Sequence, residues 1–487
     1  MRLARSVTAG IVMLVITGSF LGITAPVLNT MQFFPALLAA NGIVLIGIAA
    51  VTLLFGRVYC SVLCPLGIWQ DGVLWLAAHG HKIRRPFFYR QEKIYLRYTI
   101  LLILALFFAF GNTIIPILLD PYSIYGRMVI HMLVPFWQQA AVSSTGSGES
   151  GVMYMLSAHK NLWQGTAAFI LSAAYIAGIG ILSWKYGRLY CNTICPVGTI
   201  LGSISRFSKF RLIFHSRKCI RCGRCEKICR ASCIDMEMQT VDMSRCVDCM
   251  NCLTVCPQKA IVWTSRFSYQ VVSPHVDVAE PAMSRREMII LSVVALGTAA
   301  IALSKHYLPA GAAIIPAASK GSAVMPPGAM LLVHFAQRCT ACHLCVGRCP
   351  GKVLTSKLIS YHGFGVFQPH LDFSEGECVY TCNLCSQVCP TGAIRPIALP
   401  EKQHLKIGRA VYYPFHCLII QEGIACGICA RHCPTKAIQL ILKESRWLPQ
   451  VDSSDCIGCG ACQYHCPATP TAITVEAFTE QIASRKK

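Results

Sequence analysis

The sequence predicts an α-helical membrane bundle, four spans plus a fifth anchor or signal helix, joined to small cysteine-rich α+β domains. Three observations carry this. Hydrophobic residues make up 54% of the chain and charged residues only 14%, where soluble domains carry roughly 25%. The apolar residues gather into five long stretches. The 29 cysteines sit mostly in tight C-x-x-C-x-x-C runs, a metal-ligand spacing rather than a disulfide scaffold, which would be short. Disorder and a purely soluble enzyme are disfavoured.

The apolar stretches run approximately 6–28, 33–56, 95–119, 163–184 and 288–304. The first four have the roughly 20 residues that a bilayer core requires. The fifth is shorter and fits a tight span, an interfacial helix or a signal segment. Lys and Arg alternate with the spans. Arg2 and Arg5 precede the first; Lys82, Arg84, Arg85, Arg90, Lys93 and Arg97 follow the second; Lys185, Arg188, Arg206, Lys209, Arg211, Arg217 and Lys218 follow the fourth. The 120–162 loop holds only Arg127 and Lys160. By the positive-inside rule, both ends of a four-span unit, 1–210, lie in the cytoplasm.

Spans two and four end alike: Gly56-Arg57-Val58-Tyr59-Cys60, then Cys64-Pro65-Leu66-Gly67, and Gly187-Arg188-Leu189-Tyr190-Cys191, then Cys195-Pro196-Val197-Gly198. Tyr suits the membrane interface, Arg can snorkel, and Pro and Gly stop the helix. Cysteines four apart share a helical face, so Cys60, Cys64, Cys191 and Cys195 can supply four thiolates to a further metal centre. The alternative is buried small hydrophobes or a redox thiol pair.

A module at 211–270 follows, with Cys219, Cys222, Cys225 and Cys229, then Cys246, Cys249, Cys252 and Cys256-Pro257. This is the bacterial two-cluster ferredoxin spacing, in which three thiolates come from one motif and the fourth from the other. One cluster therefore takes Cys219, Cys222, Cys225 and Cys256; the other takes Cys246, Cys249, Cys252 and Cys229. Zinc usually uses separated pairs. Two departures stand out: Arg230 follows Cys229 where Pro is usual, and Cys233 is an alternative ligand to Cys229.

Ser284-Arg285-Arg286-Glu287-Met288 opens the fifth stretch, 284–308. It has the twin arginine of an export signal without the usual Phe-Leu; positive-inside arginines beside an ordinary anchor are the alternative. Residues 309–330, rich in Pro, Ala and Gly, predict a linker. Four more motifs occupy 331–475: Cys339, Cys342, Cys345, Cys349; Cys378, Cys382, Cys385, Cys389; Cys417, Cys426, Cys429, Cys433; and Cys456, Cys459, Cys462, Cys466. They predict four further clusters, six [4Fe-4S] clusters in all. Cys339 to His343 also fits a haem attachment motif, but that use would break the array.

The formal charge of +22 counts thiols as neutral. Six clusters of about −2 each lower it to about +10. The remainder clusters beside apolar spans, which argues against nucleic acid. No phosphate loop or dinucleotide fingerprint is evident. The chemistry expected is one-electron transfer.

Residues 1–265 resemble the membrane subunit (NapH type) of the quinol dehydrogenases that feed periplasmic nitrate reductase, on the two C-x-x-x-C-P repeats and the two-cluster module. Residues 284–475 resemble its exported four-cluster partner (NapG type). The resemblance implies a fusion in a bacterial inner membrane, one ferredoxin domain cytoplasmic and one periplasmic, passing electrons from the membrane quinone pool to a periplasmic c-type cytochrome or reductase. It departs in the weak export motif and at Arg230. Accessory ferredoxins of respiratory metalloenzyme assembly share the C-x-x-x-C-P spans and are the rival family.

Quinol oxidation needs a proton acceptor beside a one-electron acceptor. Asp120 and His131 flank an amphipathic stretch, 122–142, suited to the interface, though His131 also fits a merely solvated position. Arg57 and Arg188, with Tyr59 and Tyr190, offer an alternative quinone site on the inner side.

Overall fold

The structure, a computed structural model, describes residues 2–80, 87–137, 166–266, 323–357, 359–361, 365–443 and 446–483. The expected signal or anchor helix at 284–308 lies outside them. The chain forms two compact units. One comprises Met1–Ser19, Thr24–Tyr125 and Ser172–Pro309; the other comprises Phe20–Ile23, Gly126–Leu171 and Ala310–Lys487.

The first unit holds most of the apolar helices. Among the described residues, two helices are long and apolar enough to cross a membrane, Arg2–Leu21 and Phe169–Tyr186. The second and third apolar stretches are not continuous helices. In 33–56 a helix runs Phe33–Leu38, Ala40 turns left-handed at φ 55°, and Asn41 caps a second helix, Gly42–Phe55, its side chain accepting from Val44 N at 3.3 Å. In 95–119 the helix Ile94–Ala109 stops before Gly111 at φ 72°, and Asn112 accepts from Ile114 N to start Ile114–Leu119. At 1.5 Å per residue the 14- and 16-residue helices reach about 21 and 24 Å, short of a roughly 30 Å hydrocarbon core.

Each cysteine repeat turns sharply from its apolar helix into a new one that begins at the Cys-Pro pair. The first runs Pro65–Gly80 and the second Pro196–Ser205. Proline is tolerated there because the first helical N–H has no partner in any case. The ferredoxin module follows as a two-stranded antiparallel sheet, Phe210–Phe214 against Ile261–Ser265, closing over two short helices, Arg224–Ile228 and Asn251–Val255. Phe55 stacks on Phe210 and Trp263, and Lys209 N donates to Leu53 O at 2.8 Å, which fixes the sheet to the end of the Gly42–Phe55 helix.

The second unit repeats the ferredoxin pattern twice. Its sheets, among the described residues, are Leu354–Ser356 with Pro369–Leu371, Ile359–Ser360 with Gly365–Val366, Ile438–Lys443 with Arg446–Val451, and Leu405–Tyr412 with Ile473–Ala483. Two expected boundaries shift. Residues 323–330 are not linker: Val324 and Met325 are buried, Val324 bridges Leu371, and Gly328 N donates to Gln481 Oε1 at 2.9 Å. The domain also continues past 475, because its last strand runs to Ala483.

Candidate metal centres

The cysteines gather in quartets that exchange their last member. Cys219, Cys222, Cys225 and Cys256 line one cavity. Cys417, Cys426, Cys429 and Cys466 line a second, and Cys433, Cys456, Cys459 and Cys462 a third. Cys389 lies within electrostatic reach of Cys339 and Cys345, and Cys349 within reach of Cys378 and Cys382. The same exchange therefore operates in both halves of the second unit. The C-x-x-C loops manage it through left-handed residues, among them Arg221, Asp248, Ala341 and Gly458. These turn the backbone so that amides face sulfur. Ala260 N donates to Cys256 Sγ at 3.2 Å, and Ala341, Ile394 and Ala472 donate to Cys339, Cys389 and Cys466 at 3.4 Å.

Burial pushes the Cys225 thiol up to about 11 and those of Cys249 and Cys459 to about 12. Thiolates here need a cationic core to hold them. Among the described residues, no three His, Cys, Asp or Glu side chains converge tightly enough for a single metal ion. A four-iron cluster is wider than one ion, so quartets spread around a cavity fit it. A fourth cavity is lined by five thiols, Cys229, Cys233, Cys246, Cys249 and Cys252. Cys229 and Cys233 lie 3.5 Å apart, Sγ to Sγ, so both thiols stand at the place of the fourth ligand.

The two C-x-x-x-C-P repeats are interlocked. Arg57 of the first reaches Asn192 Oδ1 at 2.9 Å and Cys191 O at 3.2 Å in the second. Arg188 of the second reaches Cys60 O at 2.7 Å and Gly67 O at 2.9 Å in the first. Gly67 and Gly198 occupy equivalent places: a Cβ on either would run into the carbonyl oxygen of Cys60 or of Cys191 and crowd the visiting guanidinium. Cys60, Cys64, Cys191 and Cys195 share one buried cluster, and Cys195 lies within electrostatic reach of the other three.

Asp71 is the anchor the sequence did not disclose. It receives Arg188 at 2.9 Å, Arg230 at 3.0 Å and Arg5 at 3.2 Å. Burial alone would raise its pKa, but Arg188, then Arg230 and Arg5, hold it down to about 2. Arg230, the departure from the ferredoxin pattern, is thereby explained. Its guanidinium joins Asp71 and its carbonyl accepts from Arg188 N at 2.8 Å, so it ties the ferredoxin loop to the second repeat.

The expected quinone-site residues fare differently. Arg57 and Arg188 are fully buried and spent on carbonyls, Asn192 and Asp71. Asp120 is buried and caps the helix Pro121–Met128, accepting from Ser123 N at 3.0 Å and Ser123 Oγ at 2.6 Å. These placements correct the expected roles of all three, because no face of them is open to a head group. Tyr59 and Tyr190 are likewise buried, bonded to Gln32 and Leu119 O. The 122–142 stretch is buried at Tyr122, Ile124, Tyr125 and Val129, whereas Leu133, Phe136 and Trp137, at the end of its described part, are exposed. His131 is more than a solvated side chain. Its Nε2 lies 2.9 Å from His343 Nδ1, and His343 Nε2 lies 2.7 Å from Phe367 O. A carbonyl only accepts, so His343 donates through Nε2 and accepts from His131 through Nδ1. Burial first, and then His131, holds His343 neutral.

The model of a family described as "4Fe-4S binding domain" matches 37–86 and again 168–215, the two repeats. A "4Fe-4S dicluster domain" matches 424–469 and a second "4Fe-4S binding domain" matches 240–262. The chain carries ferredoxin-type [4Fe-4S] domains. It is similar to the putative electron transport protein YccM of Escherichia coli, 27% identical over 244 residues that span 48% of this chain and 58% of YccM. It is similar to the ferredoxin-type protein NapH of the same organism, 26% identical over 245 residues, 48% of this chain and 70% of NapH. A methylamine utilization ferredoxin-type protein, MauM of Methylophilus methylotrophus, is 30% identical over 147 residues, 28% of this chain and 64% of MauM.

Proposed function

We propose that this protein is a membrane-bound quinol dehydrogenase. It holds six [4Fe-4S] clusters and combines NapH-like and NapG-like halves in one chain. The clusters supply one-electron redox chemistry. The protein's own part is to hold them within reach of one another and to take up the protons that quinol releases. The observation that carries this reading is the His131–His343 pair. His343 sits in the loop between Cys342 and Cys345, so a proton-accepting imidazole stands directly behind a cluster-binding loop. His343 fixes the tautomer of His131 and holds its ring in place. Electrons then leave for a periplasmic c-type cytochrome or reductase. The alternation of Lys and Arg with the apolar stretches supports a cytoplasmic module at 219–256 and a periplasmic one at 339–466. Reporter fusions at 270 and 325 test that sidedness, and reporters on the same side refute it.

The functional test adds a reduced quinol analogue to the purified protein and follows cluster absorbance. Bleaching is expected in the wild type and slowed by about 10²-fold in His131→Ala, while Arg188→Ala should act through lost stability. If no quinol bleaches any cluster, and no quinone reoxidises chemically reduced protein, the proposal fails. The accessory ferredoxin of metalloenzyme assembly, favoured by the same C-x-x-x-C-P repeats, then takes its place.

A further inference from the structure

The eight residues between Cys417 and Cys426 set the third motif of the second unit apart. They leave Ile424 49% exposed, and Phe415, two residues before Cys417, is 83% exposed. Across the same cavity stands the hairpin Ile438–Lys443 and Arg446–Val451. Leu440 and Pro449, a directly opposed pair, line the cavity. Leu442 and Trp447, the next pair on that face, are 60% and 58% exposed. Side chains two apart on a strand share a face, so the apolar wall of the cluster cavity continues outward into solvent. Large apolar side chains exposed on both the motif and the hairpin that border one cavity mark an interaction surface.

The surroundings are net cationic. From 415 to 447 the chain carries Arg431, Lys436, Lys443 and Arg446 against two acids, Glu422 and Glu444. Lys443 and Arg446 face each other across the hairpin, a like-charge pairing that costs stability. A partner bearing carboxylates relieves it.

We propose that this surface is the electron exit, and that it docks a soluble redox protein whose cofactor edge opens on an apolar patch ringed by acidic residues. The proposal rests on the electron-transfer reading above and adds the site and the partner's chemistry. Ile424 belongs to the loop between Cys417 and Cys426 and Phe415 lies two residues before Cys417, so a protein seated on them brings its cofactor next to the Cys417, Cys426, Cys429, Cys466 quartet. A cluster held by those four thiolates would supply one electron per encounter, itself oxidised by one electron as the partner's ferric haem is reduced to ferrous. An anionic membrane surface would also attract basic and aromatic residues, but it offers no acceptor to a cluster loop.

The test uses the full chain in detergent, reduced with dithionite so that quinol chemistry plays no part. Binding of an acidic soluble c-type cytochrome is measured by biolayer interferometry, with a basic cytochrome c and phosphatidylglycerol vesicles as comparisons. Cytochrome reduction is followed by stopped flow. The acidic cytochrome should bind and weaken steeply with salt. Trp447→Ala should weaken it about tenfold or more, and Lys443→Glu by roughly tenfold at low salt, while Lys443→Arg restores it and iron content stays unchanged in all three. Equal binding of the acidic cytochrome to all variants, a preference for the basic one, or binding to vesicles alone overturns the proposal. Loss of quinol bleaching with docking intact would instead sink the quinol reading and leave this one standing.

Discussion

Removing the charge of Asp71 should unlock the repeats. Three guanidiniums converge on that carboxylate at 2.9 to 3.2 Å, and its side chain is only 13% exposed. Asp71→Asn keeps the shape and leaves Arg5, Arg188 and Arg230 facing one another without a counter-ion. Breaking a buried pair on one side costs about 3–5 kcal/mol. An independent route to the magnitude uses the carboxyl's pKa of about 2 against an ordinary value of 3.8, which corresponds to roughly 2–3 kcal/mol of pH-dependent stability. The folded pKa is the depressed one. This contribution is therefore fully present above about pH 4 and is lost as pH falls through 2. In a unit of this size, 3–5 kcal/mol shifts the melting temperature by about 6–20 °C. Thermal loss of cluster absorbance in detergent measures it. The wild-type advantage should be largest at neutral pH and should narrow toward pH 2. A shift under about 2 °C, or a gap that does not narrow in acid, refutes the view that Asp71 holds the repeats together.

Three further outcomes follow from the geometry. Cys466→Ser should alter the same cluster signal as Cys417→Ser, and Cys462→Ser the same signal as Cys433→Ser, with about four irons lost each time; electron paramagnetic resonance and iron analysis that group Cys466 with Cys456 instead would undo the exchanged quartets. Gly67→Ala and Gly198→Ala should each destabilise by about 1–3 kcal/mol through overpacking, read as matched falls in melting temperature; a neutral effect at either would mean that the Cys60 or Cys191 carbonyl can yield. Serine at any one of Cys60, Cys64, Cys191 and Cys195 should damage one common spectroscopic feature if they share a centre, whereas a substitution that leaves spectra and electron transfer intact identifies inert thiols.

The spacing of the cluster cysteines could be read directly from the sequence, because a ferredoxin loop writes three ligands within seven residues. Where the fourth ligand comes from in the second unit could not, since four motifs allow several exchanges and only folding selects neighbours. The helix breaks at Ala40 and at Gly111 were marked by Asn41-Gly42 and Gly111-Asn112, turn-forming pairs hidden inside strongly apolar surroundings. Arg57 and Arg188 were conspicuous by their repetition, but a basic side chain at the end of an apolar helix says nothing of its partner. Asp71 was the missing clue, the only acid in a stretch, 58–81, that carries no Lys or Arg. Its role required that Arg5, Arg188 and Arg230 arrive from three distant parts of the chain. Residues 323–330 looked like linker because Pro and Gly dominate them, whereas their carbonyls and amides are taken up by Arg395 and Gln481.

The exchanged arginines bind the histories of the two repeats together. Each copy keeps the residue that completes the other, so neither is a self-sufficient module that could be shed, transplanted or remodelled alone. A change at Asn192 is felt at position 57, and a change at Gly67 is felt at position 188. Substitutions that survive should therefore come as matched pairs 121 to 135 residues apart. Duplicated sequence usually gains freedom because one copy can wander while the other works. Here the reciprocal grip has withdrawn that freedom, and both copies are kept recognisably the same.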